Sequence, residues 1–478
     1  MMSTLPQPDG PGPPRGKRPA SDLVCRHMPE ANPTPPPRPR PLPVISLFSG
    51  GFGLDLGLDQ AGFDIRVAVE ANKRAAGTID RNRAAGVIRS NVEVVCEKIE
   101  NLSTAEILSL GGLEPGDPMV VSAGPSCQSF STVGQRRSLD DPRGTLFREF
   151  LRVVAEARPR FFVMEQVRGV LSAAVTHRPL SQRGPGHPPL APEEQHGSAF
   201  RLILRELADS GYYTVFNLVN VADYGVGQVR HRVLFIGSRD GEDVRIPVPT
   251  HSETAEDGRA PWRTLRDVLE GVDDPEPAHL SLSPATARLL AEIPAGCNWR
   301  ALPEELQRQG LGKAFASWGG RAGFFRRLTW DRPAPALTTR PDSRATLFGH
   351  PTELRTLSVR EYAAVQGFPG AYEFEGPVGA QYKQIGNAVP PPIGRALGVE
   401  MLRLIGARKR TRLTRVGRVA CESAALLAKF EARPRTVMDP PRMRVVKDLA
   451  AARAWMAEAG GGARPPLDVE LLPPRRAA

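Results

Sequence analysis

The chain has 478 residues, 41% of them hydrophobic, which is enough for two or three domains with substantial cores. It has no apolar run of about 18 residues, no signal-peptide pattern and no CxxC pair among its five cysteines, so we expect a cytoplasmic protein rather than a membrane or secreted one. The formal net charge of +11 favours a polyanionic partner.

The positive charge is concentrated at the two ends of the chain. Residues 405–478 carry 16 basic and 7 acidic side chains and residues 1–43 carry 6 and 3, whereas residues 44–404 carry 41 and 42. The 14 prolines in residues 1–43 predict a disordered Pro-rich tail. Residues 405–478 form a basic C-terminal extension with one amphipathic helix predicted at 445–459. Its charge is equally compatible with contact between this extension and nucleic acid and with an extension that is simply solvated.

Between these ends, short apolar runs alternate with amphipathic segments. In chain order the pattern predicts strands at 44–48, 65–69, 119–122, 161–164 and 233–237 and helices at 54–61, 73–82, 145–157 and 200–210. Strands that alternate with helices indicate an α/β fold with a doubly wound, mainly parallel sheet and helices on both faces.

Two segments interrupt this alternation. Residues 172–199 are rich in Pro and Gly and contain three histidines whose spacing matches no zinc motif, so we predict a surface insertion and no metal site. Residues 245–345 are rich in Pro, Trp and Arg, and we predict a second domain there. The α/β pattern returns at 346–404, so the first domain comprises 44–244 and 346–404.

A glycine-rich loop follows the first predicted strand. Glycines allow a backbone to approach a ligand closely, and the N-terminus of the next helix offers free N–H groups to an anion. Glu70 ends the second strand, twenty residues after Gly50, where a carboxylate can bind ribose hydroxyls. The spacing differs from G-x-G-x-x-G, which makes a dinucleotide less favoured. The candidate cofactor residues in this loop are Phe48, Ser49, Gly50, Gly51, Phe52 and Gly53.

Cys127 stands in a loop of small residues that follows the predicted strand at 119–122. A thiolate is a strong carbon nucleophile, although a lone cysteine is more commonly a small buried hydrophobe. Gln128 lies beside it in the same loop and is a second candidate. The other polar elements of the chain favour the interpretation of Cys127 as a nucleophile over that of a buried hydrophobe.

Three further elements carry polar groups suited to a site. Glu165 follows a short apolar run, and the carboxyl ends of strands are where an open α/β sheet keeps its site. Arg230 and Arg232 alternate with Gln228 ahead of another strand, so the three side chains share one face of extended chain. Taken alone, Glu165 could be a surface residue at a strand end, and the segment from Gln228 to Arg232 would be better interpreted as a solvated charged edge. Asn387 lies in a turn that can close a ligand pocket.

In this order the motifs closely resemble those of the DNA cytosine-5 methyltransferase family. The resemblance covers residues 44–404 and leaves both tails outside. It rests on six ordered matches, which are the Phe48–Gly57 loop, Pro125-Ser126-Cys127-Gln128, Glu165-Gln166-Val167, Gln228-x-Arg230-x-Arg232, Arg360-Glu361 through Gln366-Gly367-Phe368-Pro369, and Gly386-Asn387-x-Val389.

The resemblance implies a methyltransferase-type α/β large domain that binds S-adenosylmethionine and a small target-recognition domain at 245–345, with duplex DNA between them. It implies that Cys127 adds to C6 of a cytosine flipped out of the duplex. C5 then takes the methyl group and loses its proton, and β-elimination frees the enzyme.

The resemblance also implies roles for the candidate residues. Glu165 would contact N3 and the exocyclic amine of the base. Arg230 would hold the base from its O2 side, and Arg232 would support the site. Glu70 and the glycine-rich loop would bind the cofactor, with Asn387 nearby. In the second domain, the candidates for contact with DNA, mostly with its phosphates, are Arg321, Arg326, Arg327 and Arg340.

Three positions depart from the family pattern. Ser126 replaces the usual proline before the nucleophile, which frees a backbone N–H, and Gln166 replaces the usual asparagine after the acid. The acidic residue that the family places after the third strand is not evident, since Lys98 stands there with Glu97 beside it. The nucleophile and the acid are retained, so we expect an active enzyme.

We therefore predict a sequence-specific DNA (cytosine-5) methyltransferase that acts as a monomer on double-stranded DNA. A bacterial restriction–modification system with a cognate restriction endonuclease is the setting that this activity suggests. A tRNA cytosine methyltransferase is an alternative, although it would need little of the 245–345 segment. A non-catalytic DNA-binding homologue would not need the thiol of Cys127, and a dinucleotide oxidoreductase would leave both Cys127 and Gln228–Arg232 unused.

Overall fold

A mainly parallel sheet lies at the centre of the protein. The computed structural model describes residues 41–125, 145–184, 186–255, 258–315, 323–406, 417–431, 438–439, 442–443 and 469–472. The strands are β1 (Pro43–Leu47), β2 (Asp64–Val69), β3 (Glu93–Val95), β4 (Val120–Ala123), β5 (Phe161–Val167), β6 (Tyr213–Asn220), β7 (Gln228–Val229), β8 (His231–Ser238), β9 (His251–Ser252), β10 (Ala260–Pro261), β11 (Ala334–Pro335), β12 (Val419–Cys421), β13 (Met438–Asp439), β14 (Arg442–Met443) and β15 (Val469–Leu471). The central sheet has the order β15-β12-β6-β8-β5-β4-β1-β2-β3. Its pairs are parallel except that β8 runs antiparallel to β5 and β6.

Helices cover both faces of this sheet. They are α1 (Gly53–Ala61), α2 (Lys73–Ala84), α3 (Thr104–Leu110), α4 (Thr145–Ala157), α5 (Ser198–Asp209), α6 (Leu265–Leu269), α7 (Pro284–Ala291), α8 (Glu304–Leu311), α9 (Val359–Gln366), α10 (Val378–Asn387), α11 (Pro391–Gly406) and α12 (Ala424–Glu431). Alternate strand residues enter separate apolar clusters, Val44 and Phe161 on one face and Ile45 and Phe162 on the other. The predicted α/β class is confirmed. Within the described ranges, no helix combines the length and the apolar character needed to span a bilayer.

The strands bring the predicted site residues to one edge of the sheet. The glycine-rich loop directly follows β1, and Glu70 directly follows β2. The strand predicted at 161–164 extends to Val167, so Glu165 lies within β5 rather than after it. β4 ends at Ala123, which pairs with Met164. Glu165 is therefore the first β5 residue beyond the end of β4, and that side of the strand is open to the site.

The segment after β8 has an apolar cluster of its own. Leu290, Ile293, Phe325 and Leu347 are fully buried in it, and it is distinct from the two clusters that flank the sheet. The guanidinium of Arg327 donates to backbone carbonyls of this segment, including that of Ile293 at 3.2 Å. Arg327 thus stabilises the segment itself, and its predicted contact with DNA stays a prediction. A small domain at 245–345 fits this cluster, and its boundaries stay a prediction.

Part of the basic C-terminal extension belongs to the sheet, which the sequence analysis did not predict. β12 pairs with β6, and β15 pairs with β12 at the edge. β12 is fully buried, and Glu422 beside it accepts the backbone N–H of Ile246 at 3.2 Å. The helix predicted at 445–459 and the Pro-rich tail up to residue 40 lie outside the described residues.

Truncation after Gly406 is expected to destabilise the catalytic sheet. It removes β12 and β15 and exposes the edge of β6, and full burial of one valine such as Val419 contributes about 1.5–3 kcal/mol. Calorimetry should show a melting temperature several degrees below that of the full chain. Deletion of residues 473–478 is the matched control, because it shortens the tail but keeps β15. Equal melting temperatures for the full chain and the long truncation would contradict a structural role for these strands.

Candidate active site

A cleft of about 1450 Å³ opens at the edge of the sheet where β1, β2 and β4 end. Loops after these strands line one side, and α10 with the residues after β11 lines the facing wall. The predicted site residues that line the cleft are Phe48, Ser49, Gly50, Gly51, Gly53, Glu70, Glu165, Arg230, Arg232 and Asn387. Residues from both parts of the predicted α/β domain therefore meet in one place.

The glycine-rich loop has a backbone conformation that few side chains adopt. Gly50 has a φ of 52°, in the left-handed region where glycine is favoured. Phe52, at the start of α1, also lies in this region with a φ of 64°, and its fully buried ring lies under the loop instead of lining the cleft. Gly53 lies so close to the facing wall that a Cβ atom would come within 2.1 Å of the Val389 carbonyl oxygen. The loop therefore depends on glycine at these two positions.

Glu70 lies beside this loop. Its carboxylate accepts the backbone N–H of Gly50 at 2.8 Å and that of Asn72 at 2.7 Å. A carboxylate has about four lone-pair positions, so these two bonds orient the group and leave acceptor capacity for hydroxyls in the cleft. Phe48 and Ile99 also line the cleft and provide apolar surface for a flat ring.

An acidic group is also present after β3. Glu97 and Lys98 both line the cleft. The backbone N–H of Lys98 and the side-chain amide of Asn101 each donate to the Glu97 carboxylate at 2.8 Å. These bonds hold the pKa of Glu97 below its usual range. Glu97 thus brings a carboxylate to the cleft, although Lys98 occupies the position where the family pattern predicts an acid.

Glu165 and Arg232 form a buried ion pair on the neighbouring strands β5 and β8. Arg232 Nε lies 2.5 Å from Glu165 Oε1, and the two side chains are 14% and 10% exposed. The contact is electrostatic, because Nε is not aligned for a hydrogen bond. A buried carboxylate requires a partner of this kind. The pair therefore fixes Glu165 at the cleft, and the second carboxylate oxygen, Oε2, faces Gly124.

The loop that carries Cys127 is anchored where it leaves β4. The side-chain amide of Gln166 donates to the Pro125 carbonyl at 3.1 Å. Glutamine therefore still braces the loop in place of the asparagine of the family pattern. Pro125 lines the cleft, two residues before Cys127 in the sequence. Ser126, Cys127 and Gln128 themselves lie outside the described residues.

Arg230 connects β7 and β8 to the facing wall of the cleft. Its guanidinium donates to the carbonyls of Leu337 at 3.0 Å and Gly386 at 2.7 Å, and the side chain is buried. Gln228 is also buried and accepts the backbone N–H of Leu337 at 3.1 Å. Of the three alternating residues, Arg230 and Arg232 line the cleft, whereas Gln228 supports the wall behind it.

Comparison with known proteins agrees with this arrangement. The family model of the C-5 cytosine-specific DNA methylases matches residues 42–183 and 189–403. The chain belongs to this DNA methylase family. The methylase is 32% identical to the type II methyltransferase M.Sau96I of Staphylococcus aureus over 367 residues, and this match covers 75% of each chain. It is 33% identical to the type II methyltransferase M.Eco47II of Escherichia coli over 374 residues, and this match covers 76% of this chain and 79% of the relative.

A solved structure supports the fold of this methylase. A candidate DNA modification methyltransferase encoded within a prophage (E. coli) superposes with a TM-score of 0.52 at 24% identity, covering 77% of this chain and 100% of that chain. Together with the family match, this likeness shows a methyltransferase-type sheet. The family match ends at residue 403, so β12 and β15 are additions beyond it.

Most of the wall that faces the glycine-rich loop of this methylase was not predictable from sequence motifs. Thr338, Thr339 and Lys383 line the cleft, yet no motif marks them. The wall is tied to α2, because the hydroxyl of Thr78 donates to the side chain of Gln384 at 2.7 Å. The motif around Asn387 is the sequence signal from which this wall could have been located.

Proposed function

We propose that this methylase transfers a methyl group from S-adenosylmethionine to C5 of cytosine in duplex DNA, at a defined sequence, through a thiolate adduct at C6 of a flipped base. The observation that carries the proposal is that one cleft holds both Glu70 and the Glu165–Arg232 pair. Pro125 at the same cleft begins the loop of Cys127. A nucleoside cofactor and a cytosine can therefore meet in one space.

The cleft residues fit S-adenosylmethionine, which supplies the methyl group when it is bound. Glu70 offers an acceptor for ribose hydroxyls beside the backbone of the glycine-rich loop. Phe48 and Ile99 offer apolar contacts for the adenine ring, and Glu97 offers a carboxylate for its amine. Asn387 lines the facing wall, where it can donate to or accept from the cofactor.

The residues around the ends of β4 and β5 suit the cytosine. The Cys127 thiolate would bond to C6, which places negative charge on the ring, and Glu165 in its acid form would neutralise that charge by giving its proton to N3, while its other oxygen accepts an N–H of the exocyclic amine. Arg232 fixes the Glu165 carboxylate through their ion pair. Arg230 would bind O2 while two backbone carbonyls hold its orientation. Once C5 has taken the methyl group, solvent water would remove the C5 proton, β-elimination would return the thiolate, and N3 would give its proton back to Glu165. Base flipping gives access to the ring.

We further propose that the enzyme is the modification component of a type II restriction–modification system. M.Sau96I and M.Eco47II are both named type II methyltransferases. In that setting the methylase acts as a cytoplasmic monomer and protects DNA from a cognate restriction endonuclease.

Bisulfite sequencing of DNA from a host that expresses the gene tests this function. We expect 5-methylcytosine at one recurring position of a short sequence, and none with an empty vector or with Cys127→Ala. Scattered methylation would contradict the sequence specificity. Absence of methylation with a folded protein that binds S-adenosylmethionine would overturn the proposed activity.

Glu70→Ala is expected to weaken binding of S-adenosylmethionine by about tenfold or more, because a lost bond to a charged group costs about 1.5–3 kcal/mol. Calorimetric titration measures the affinity. Glu93→Ala is the matched control, since Glu93 is an exposed acid on the neighbouring strand β3 and should leave affinity unchanged. Unchanged affinity in the Glu70 variant would remove this residue from the cofactor site.

The basic run at 408–412 provides a test of phosphate contact by the C-terminal extension. Arg408, Lys409, Arg410 and Arg412 are exchanged for glutamine, which leaves β12 and β15 in place. If these side chains contact phosphates, binding to any duplex weakens and the slope of log K against log salt falls by about 0.9 per lost contact. An unchanged slope in a filter-binding series would show that this run is simply solvated.

A further inference from the structure

A buried carboxylate lies beneath the glycine-rich loop, and the proposed mechanism does not use it. Asp55 is in the first turn of α1 and is 2% exposed. Its two oxygens accept the hydroxyls of Ser46 at 2.7 Å and Ser122 at 2.5 Å. Ser46 also exchanges a hydrogen bond with Ser49 in the loop at 2.7 Å. Asp55 therefore lies where β1, β4 and the cofactor loop converge.

The partners of Asp55 are hydroxyls rather than cations. In the part of the chain that the structure describes, no arginine, lysine or histidine forms an ion pair with it. The nearby phenol of Tyr372 donates to the Gly51 carbonyl at 2.9 Å, and burial raises its pKa, so it stays neutral. Burial also raises the pKa of Asp55 to about 6, against the two serine bonds that favour its charged form. At pH 8 the group is an anion whose charge is not compensated by a neighbouring cation.

The position of this charge matters for the ligand of the cleft. Asp55 lies at the floor, between the glycine-rich loop and the end of β4. Because β1 lies between β2 and β4 in the sheet, a cofactor that extends from Glu70 toward the loop of Cys127 would cross this floor. The other carboxylate near the loop, Glu70, differs because two backbone N–H groups solvate it.

S-adenosylmethionine carries a sulfonium cation, and its demethylated product carries a neutral thioether. We propose that Asp55 is the counter-charge of the sulfonium and makes the cleft prefer the methyl donor over the product. This inference rests on the proposed function, since it assumes that this cofactor binds here. A fixed anion in a water-poor site attracts a cation far more strongly than a neutral group of the same shape. Product release is therefore favoured once the methyl group has left.

Calorimetric titration of both nucleosides at pH 8 tests the proposal. Asp55→Asn keeps the shape and removes the charge, and it should weaken binding of S-adenosylmethionine by about tenfold, as expected for one charge pair at intermediate dielectric. Binding of S-adenosylhomocysteine should change much less. Asp55→Ser, which is also uncharged, replaces this variant if the asparagine form does not fold. Ser122→Ala is the matched control, because it removes a hydroxyl and keeps the charge, so the ratio of the two affinities should stay at the wild-type value.

The outcomes separate the two proposals. An equal loss of affinity for both nucleosides in the uncharged variants would show that Asp55 only shapes the loop, and no loss for either would show that its charge is irrelevant. Both results would overturn the inference and leave the methylase function standing. Failure of the wild-type protein to bind either nucleoside would instead overturn the cofactor assignment itself.

Discussion

Cys127→Ala is expected to abolish methyl transfer to DNA while affinity for S-adenosylmethionine stays at the wild-type value. C6 of cytosine is a poor electrophile, and without a thiolate C5 does not become nucleophilic enough to take a methyl group. The thiol acts on the base and not on the cofactor, so cofactor binding should survive. Transfer of a tritiated methyl group measures the reaction, and calorimetry measures the binding.

Cys297→Ala is the matched control for this variant. Cys297 is an exposed free cysteine outside the cleft, so its replacement should leave methyl transfer unchanged. Measurable transfer by the Cys127 variant would contradict its role as the nucleophile. Loss of transfer in the Cys297 variant would show that the nucleophile had been assigned to the wrong residue.

Glu165→Gln is expected to lower kcat by about 10²–10⁴, the range typical of a lost acid–base or electrostatic group. Glutamine keeps the shape but cannot carry the charge that Arg232 now pairs with at 2.5 Å. It also leaves Arg232 buried without its carboxylate, so a moderate loss of stability should accompany the loss of rate. Single-turnover kinetics with saturating cofactor isolates the chemical step from cofactor binding.

Glu242→Gln separates these two effects. Glu242 is also a buried acid, and it pairs with Arg160 at 2.7 Å away from the cleft. Its replacement should lower the melting temperature by a comparable amount and leave kcat near the wild-type value. Equal losses of kcat in the two variants would mean that Glu165 acts only through stability.

The strands that end at the site were predictable because burial on both faces makes them continuous apolar runs. β1 and residues 161–164 of β5 are of this kind. β6 was missed because polar residues such as Thr214 and Asn217 interrupt its apolar pattern. β12 and β15 have three residues each. β12 pairs with the edge of β6 and β15 pairs with β12, and a local pattern cannot reveal such pairing.

The candidate site was predictable wherever a residue lies at or near the carboxyl end of a strand. Glu70 and Glu165 meet this condition, and the structure brings both to one cleft. The contacts of Arg230 were not predictable, because Leu337 and Gly386 reach it from distant parts of the chain. Glu97 could be named only as the neighbour of Lys98, because the local turn after β3, in which its carboxylate accepts from Lys98 and Asn101, decides whether that carboxylate reaches the cleft.

The covalent adduct tests the proposed chemistry most directly. In a duplex with 5-fluorocytosine at the target position, fluorine replaces the C5 proton whose loss permits elimination. With S-adenosylmethionine present, the wild-type enzyme should remain bonded to the base, giving a protein–DNA band that resists denaturation and maps to the peptide at residues 124–131. Cys127→Ser should give no band, because a hydroxyl is seldom ionised near neutrality. A band that maps to Cys25, Cys96, Cys297 or Cys421, or no band from an enzyme that methylates the unmodified duplex, would contradict the account.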